Sequence, residues 1–96
     1  MAKGYWVTFY RSISNPAALG EYAKLAGAPI QAAGGRFLSR GAAVKTYEAG
    51  IKERSVMIEF DSVEKAVSAY ESPAYQAALK VLQGACERDV RILEGV

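Results

Sequence analysis

The pattern of apolar and polar positions divides the chain into seven segments. Tyr5-Trp6-Val7-Thr8-Phe9-Tyr10 is aromatic and β-branched, which predicts a strand. Its alternate rows, Tyr5-Val7-Phe9 and Trp6-Thr8-Tyr10, are both largely apolar, so a covering layer is expected on each face. Asn15 as cap and Pro16 at the first helical position then open a helix. Leu19, Tyr22, Ala23, Ala26, Ile30 and Ala33 follow at helical spacing, with Gly27 and Pro29 expected to bend or interrupt it. Gly34-Gly35 supplies a left-handed stop.

A second strand is expected over Arg36 to Arg40, with a bend or bulge at Gly41-Ala42. Val44 to Glu48 should continue extended, and Ala49-Gly50 should turn the chain into a third strand, Ser55 to Phe60. That strand places Val56, Ile58 and Phe60 on one face and Met57 and Glu59 on the other. Asp61 or Ser62 caps the next helix, with Glu64 three after Asp61 in capping-box position, and its stripe is Val63, Ala66, Val67 and Tyr70. Ser72-Pro73 stops and restarts it, giving a helix to Leu82 with Tyr75, Ala78, Leu79 and Leu82 inward. A last strand covers roughly Asp89 to Glu94.

The order β-α-β-β-α-β is the ferredoxin-like pattern of the α+β class: an antiparallel four-stranded sheet with helices on one face. The other face would carry Met57, Glu59 and an aromatic row from the first strand. An apolar surface of that kind predicts a two-fold homodimer packed sheet to sheet.

Length and composition narrow the function. The 96 residues make one domain, 1–96. Twelve basic and ten acidic residues leave a net charge of +2 with no block of like charge, which argues against a nucleic-acid or membrane partner. No apolar h-region opens the chain and no run approaches the roughly 20 residues of a membrane helix, so a cytoplasmic protein is expected. Cys86 is alone, which removes an intramolecular disulfide. There is no histidine, which removes Ser-His-Asp and Cys-His nucleophile pairs and most haem, zinc and iron sites; no metal or cofactor is expected.

Several residues could carry chemistry. Arg40, at the end of the second strand, could fork two hydrogen bonds to a carboxylate, or form a surface or intersubunit ion pair. Arg36 is read on the same side of that strand, in the same patch or simply solvated. Glu59 interrupts an apolar strand. Buried, it would be a candidate general acid or base; paired with Arg40 or Arg91 it would be structural. Tyr22, Tyr70 and Tyr75 are inward helix residues that would serve core packing or line a pocket between sheet and helices. Trp6 reads as core or interface, and Cys86 as a small hydrophobe. Ser39 and Ser72 have no base to activate them.

The chain resembles the domain-of-unknown-function family 1330. The resemblance is carried by Lys3-Gly4-Tyr5-Trp6, the stretch Gly34 to Gly41 (GGRFLSRG), Ile58-Glu59-Phe60-Asp61-Ser62, Ser72-Pro73-Ala74-Tyr75-Gln76-Ala77-Ala78 and Ile92-Leu93-Glu94-Gly95-Val96. It implies the dimeric α/β-barrel version of the ferredoxin-like fold and no established activity. Two functional expectations follow. One is a cofactor-free enzyme or binding protein for a small acidic or aromatic metabolite, with Arg40, Glu59 and tyrosines lining a cleft between sheet and helices. The other is a structural or regulatory homodimer without catalysis.

Overall fold

In the computed structural model, which describes residues 2–96, four strands and three helices follow the expected order. They are β1 (Gly4–Ile13), α1 (Pro16–Ala32), β2 (Arg36–Ala42), β3 (Arg54–Phe60), α2 (Val63–Glu71), α3 (Pro73–Leu82) and β4 (Cys86–Glu94). The sheet runs β2-β3-β1-β4 with every pair antiparallel. It is open, with β2 and β4 as edges; no barrel closes within one chain.

Alternation sorts the strands as a half-buried sheet requires. Trp6, Ile58, Phe60 and Tyr75 are the largest fully buried side chains, and they pack between the sheet and the helices. The Trp6 ring meets Tyr75 edge-on at 4.8 Å, and its indole N–H donates to Thr8 Oγ1 at 3.0 Å, so no polar atom of this core aromatic is left without a partner. The opposite row of β1 and β3 faces away from the helices. There Phe9 is 45% and Met57 39% exposed.

The helix boundaries follow from local chemistry. Asn15 Oδ1 accepts from the Ala18 N–H, and Pro16 takes the first turn. At the other end the Gly34 N–H donates to the Gln31 carbonyl and the Gly35 N–H to Ile30, a Schellman closure with Gly34 at φ +93°. A Cβ on Gly35 would lie 2.7 Å from Ile30 Cγ2 and 2.8 Å from Phe60 Cζ, so only glycine lets the chain re-enter the sheet here. Ser62 and Ser72 cap α2 and α3 by accepting from the Lys65 and Tyr75 N–H groups.

Four expectations are corrected. The first helix is not interrupted: α1 runs unbroken through Gly27 and Pro29, because its buried stripe of Tyr22, Ala26 and Ile30 outweighs one missing N–H. Val44 to Glu48 is not extended strand but part of an irregular loop, since pairing of β2 with β3 ends at Ala42–Arg54. Of the two possible caps for α2, Ser62 is used, which places Glu64 outside the capping-box position. The bulge falls between Phe37 and Ser39, earlier than Gly41-Ala42.

Candidate functional site

The site begins with the inward rows of three strands, each of which changes from apolar to arginine at the same end of the sheet. In β3 the row reads Phe60, Ile58, Val56, Arg54; in β4 it reads Ile92, Val90, Arg88. In β2, Phe37 pairs with Ile58, and the extra residue at Leu38 shifts the register so that Arg40 pairs with Val56 and joins the inward face. Helix α1 roofs these positions with Ala23, Ala26 and Gly27, whose small side chains leave a cleft beneath it, and with the larger Ile30. The cleft is narrow and encloses about 420 Å³ of atom-free space, its solvent mouth included.

Arg88 is held at the inner wall. Its Nη1 donates to Tyr22 Oη at 3.3 Å and its Nη2 to Tyr75 Oη at 3.2 Å, and the two phenol oxygens are 2.7 Å apart. The guanidinium lies 5.6 Å from the Tyr10 ring and 5.4 Å from the Tyr22 ring, both favourable for a cation over an aromatic face. Burial opposes the Arg88 charge, but the oxygens of Tyr75 and Tyr22 more than offset this and raise its pKa. Burial pushes Tyr75 far above the ordinary phenol value, with Tyr22 adding to the shift and Arg88 opposing it. Tyr10 is raised by burial too, again against Arg88. Tyr75 and Tyr10 therefore stay protonated at neutral pH.

Arg40 stands at the mouth with its guanidinium 4.7 Å over the Phe37 ring. Arg54 carries a buried Nε with no hydrogen-bond partner. Among the described residues none of Arg40, Arg54 and Arg88 forms a salt bridge, and no carboxylate lines the cleft. Three positive charges gathered here exceed the chain's net charge of +2, so the remainder of the protein is slightly acidic. Uncompensated cations beside buried phenols and aromatic walls make an anion-binding environment.

The structure separates the residues that the sequence suggested might act together. Arg40 and Tyr22 line the cleft, and Tyr75 supports Tyr22 from behind while fully buried. Glu59 and Arg36 lie on the other face of the sheet, cross-strand partners joined Nε to Oε1 at 3.1 Å. Tyr5 donates to the second oxygen of Glu59 at 3.2 Å, and Arg36 also reaches Asp61 Oδ1 at 3.1 Å. The shared patch expected for Arg36 and Arg40 is thus corrected, because the bulge puts them on opposite faces. Glu59 pairs with Arg36 rather than Arg40 or Arg91; Arg91 is engaged with Asp89 at 2.8 Å. Tyr70 packs edge-on against Trp6 at 5.3 Å and borders a separate groove with Val90 and Ile92. Cys86 opens β4, its thiol pushed up by burial despite Arg88.

Arg54, Arg88 and Tyr10 are the cleft residues that sequence reasoning passed over. Their signal is alternation: Arg54 stands two before Val56, and Arg88 two before Val90, each on the row of its apolar strand.

Fold and cleft together define a ferredoxin-like α+β protein with a cationic cavity under its first helix. The chain belongs to the family described as Domain of unknown function (DUF1330), which matches residues 3–96. No curated protein matches it in sequence. Among solved structures it is similar to a protein of unknown function from Rhodopseudomonas palustris, with TM-score 0.77 and 17% identity over 99% of this chain and 83% of that one. A dimeric protein of unknown function with a ferredoxin-like fold from Bacteroides fragilis aligns with TM-score 0.61 and 15% identity, over 97% of this chain and 95% of the other. A Caulobacter crescentus protein provisionally assigned as an antibiotic biosynthesis monooxygenase aligns with TM-score 0.60 and 15% identity, over 99% and 90%. At these identities the likeness concerns the fold.

Proposed function

We propose that the cleft under α1 binds a small organic anion with an apolar or aromatic body, as a binding protein or cofactor-free enzyme. One observation carries this reading: Arg40, Arg54 and Arg88 converge on an aromatic-walled cavity with no carboxylate to neutralise them. The anionic group would meet the arginines and the Tyr22 hydroxyl, while the apolar body would lie against Ile30, Phe37 and Ile58. In enzymatic form the reading is isomerisation of that anion, or its oxygenation by dioxygen as the oxidant. Arginines and a phenol there can stabilise developing negative charge, but with no carboxylate in the lining and no histidine in the chain the substrate must supply the reactive electrons. The provisional monooxygenase assignment of the Caulobacter protein supports that form. Glu59 and Arg36 are assigned to an ion pair on the opposite face.

A second reading rests on a different observation, the apolar row that the open sheet face leaves exposed. It is a homodimer packed sheet to sheet, supported by the dimeric state of the Bacteroides protein. Alone, this reading gives a cytoplasmic structural or regulatory module without catalysis.

A thermal-shift panel of small carboxylates and phenols, including benzoate, phenylacetate and 4-hydroxybenzoate, separates the two. Saturating binding to the native state raises the melting temperature by mass action. The anion site predicts a dose-dependent rise that Arg54→Met and Arg40→Ala abolish. Silence across the panel would leave the structural dimer.

A further inference from the structure

Tyr75 is remote from the mouth of the cleft, yet its hydroxyl decides how the cleft presents itself. Its ring is clamped edge-on by Trp6 at 4.8 Å and by Tyr22 at 6.0 Å, so only the O–H torsion is free. The residue is 0% exposed, and no water reaches it to accept a proton. Among the described residues its hydroxyl has two partners, Tyr22 Oη at 2.7 Å and Arg88 Nη2 at 3.2 Å. A guanidinium has five donors and no acceptor, so it cannot take the Tyr75 proton. That proton therefore goes to Tyr22 Oη, the one acceptor within reach, and leaving it unpaired would carry the penalty of a buried unsatisfied donor.

The consequence falls on Tyr22. Its oxygen accepts from Tyr75 and, at 3.3 Å, from Arg88 Nη1, which occupies its acceptor capacity. Its own proton cannot point back at Tyr75, since only one hydrogen fits between two oxygens 2.7 Å apart. It must point toward the cleft, which Tyr22 lines and Tyr75 does not. We propose that Tyr75 is a positioning residue that fixes Tyr22 as an obligate hydrogen-bond donor, so that the ligand presents a carboxylate or phenolate oxygen at this point and an N–H group is rejected. The inference rests on the cleft being an anion site. It names the chemical class that the site selects: the three arginines of the lining have donors and no acceptor, and with Tyr22 fixed as a donor an amide or amine nitrogen at this point finds no acceptor.

The experiment compares benzoate with its neutral isostere benzamide by calorimetry or ligand-detected NMR, with phenylacetate and phenylacetamide as a second pair. Removing a hydrogen bond to a charged group weakens binding by about tenfold or more. Tyr22→Phe is expected to weaken benzoate by that factor and benzamide by clearly less. Tyr75→Phe leaves Tyr22 its proton but frees a lone pair, so the benzoate-to-benzamide affinity ratio should fall by at least about threefold. A merely structural role for Tyr75 would weaken both ligands alike. An unchanged ratio in Tyr75→Phe, or equal losses of acid and amide in Tyr22→Phe, overturns the inference while leaving the anion site intact. Failure of both carboxylates to bind the wild type overturns the anion site and the inference with it.

Discussion

Arg54 places a donor where it is buried and receives nothing in return. Its unpartnered Nε, together with the charges of Arg40 and Arg88 in the same cleft, costs folding free energy that an apolar residue would not. Arg54→Met should therefore stabilise the ligand-free protein, by about 1 kcal/mol in urea unfolding at low ionic strength, while abolishing anion binding. The gain should shrink as salt rises and screens the like charges. A loss of stability in that variant would mean that Arg54 has a structural partner. Tyr75 makes a separate prediction. Its folded pKa is raised above the ordinary 10.0, so above that pH the unfolded chain releases a proton that the folded chain keeps. Stability is then fully present below pH 10.0 and falls as pH rises past it, with up to about 1.4 kcal/mol per pH unit from this group. Tyr75→Phe should flatten that alkaline decline in denaturant titrations at pH 9 to 11.

Elements carry these side chains to the site, and the capping serines show how. Ser72 accepts from the Tyr75 N–H at 3.3 Å and donates to the Ala69 carbonyl at 2.8 Å, so one hydroxyl ends α2 and starts α3. Ser72→Ala should cost about 1 kcal/mol in urea denaturation, and Ser72→Asn, which retains a capping oxygen, clearly less. This junction was legible in the sequence because cap and proline act locally, and the same holds for Asn15-Pro16 and Gly34-Gly35. The order of elements along the chain and the apolar row Val56-Ile58-Phe60 were legible too, since helix and strand patterns each have a fixed period. What alternation cannot report is an extra residue. Counted regularly, Arg40 falls on the side of Arg36; the bulge at Leu38 moves it across the sheet. Glu59 was correctly placed opposite Ile58, but its partner depends on strand register, which is a long-range property. The Tyr22–Tyr75–Arg88 cluster joins residues up to 66 positions apart, and no local pattern announces such a contact.

At the scale of the whole molecule, the two faces of the sheet are separate working surfaces. The cleft and its arginines lie under α1, whereas Phe9, Met57 and Leu93, at 45%, 39% and 49% exposed, face the other way. Val7 lies between them in register, paired with Met57 on one side and Arg91 on the other. Ion pairs bracket this row, Arg36 with Glu59 and Asp61 toward one end and Arg91 with Asp89 toward the other. An apolar centre with a charged rim is the anatomy of a protein interface. In the proposed sheet-to-sheet homodimer a glutamate at Met57 would bring a carboxylate into the middle of the contact, where a two-fold axis would double the charge. On the proposed homodimer reading, wild type should sediment as a dimer and Met57→Glu as a monomer in sedimentation equilibrium at tens of micromolar protein. Its circular dichroism should remain unchanged, because the site is already partly exposed in one chain. Because the cleft opens on the opposite side, benzoate affinity should stay within about twofold of wild type. A monomeric wild type would refute the interface. If affinity collapsed along with dimerisation, the partner chain would be completing the anion site, and the two surfaces would be coupled rather than separate.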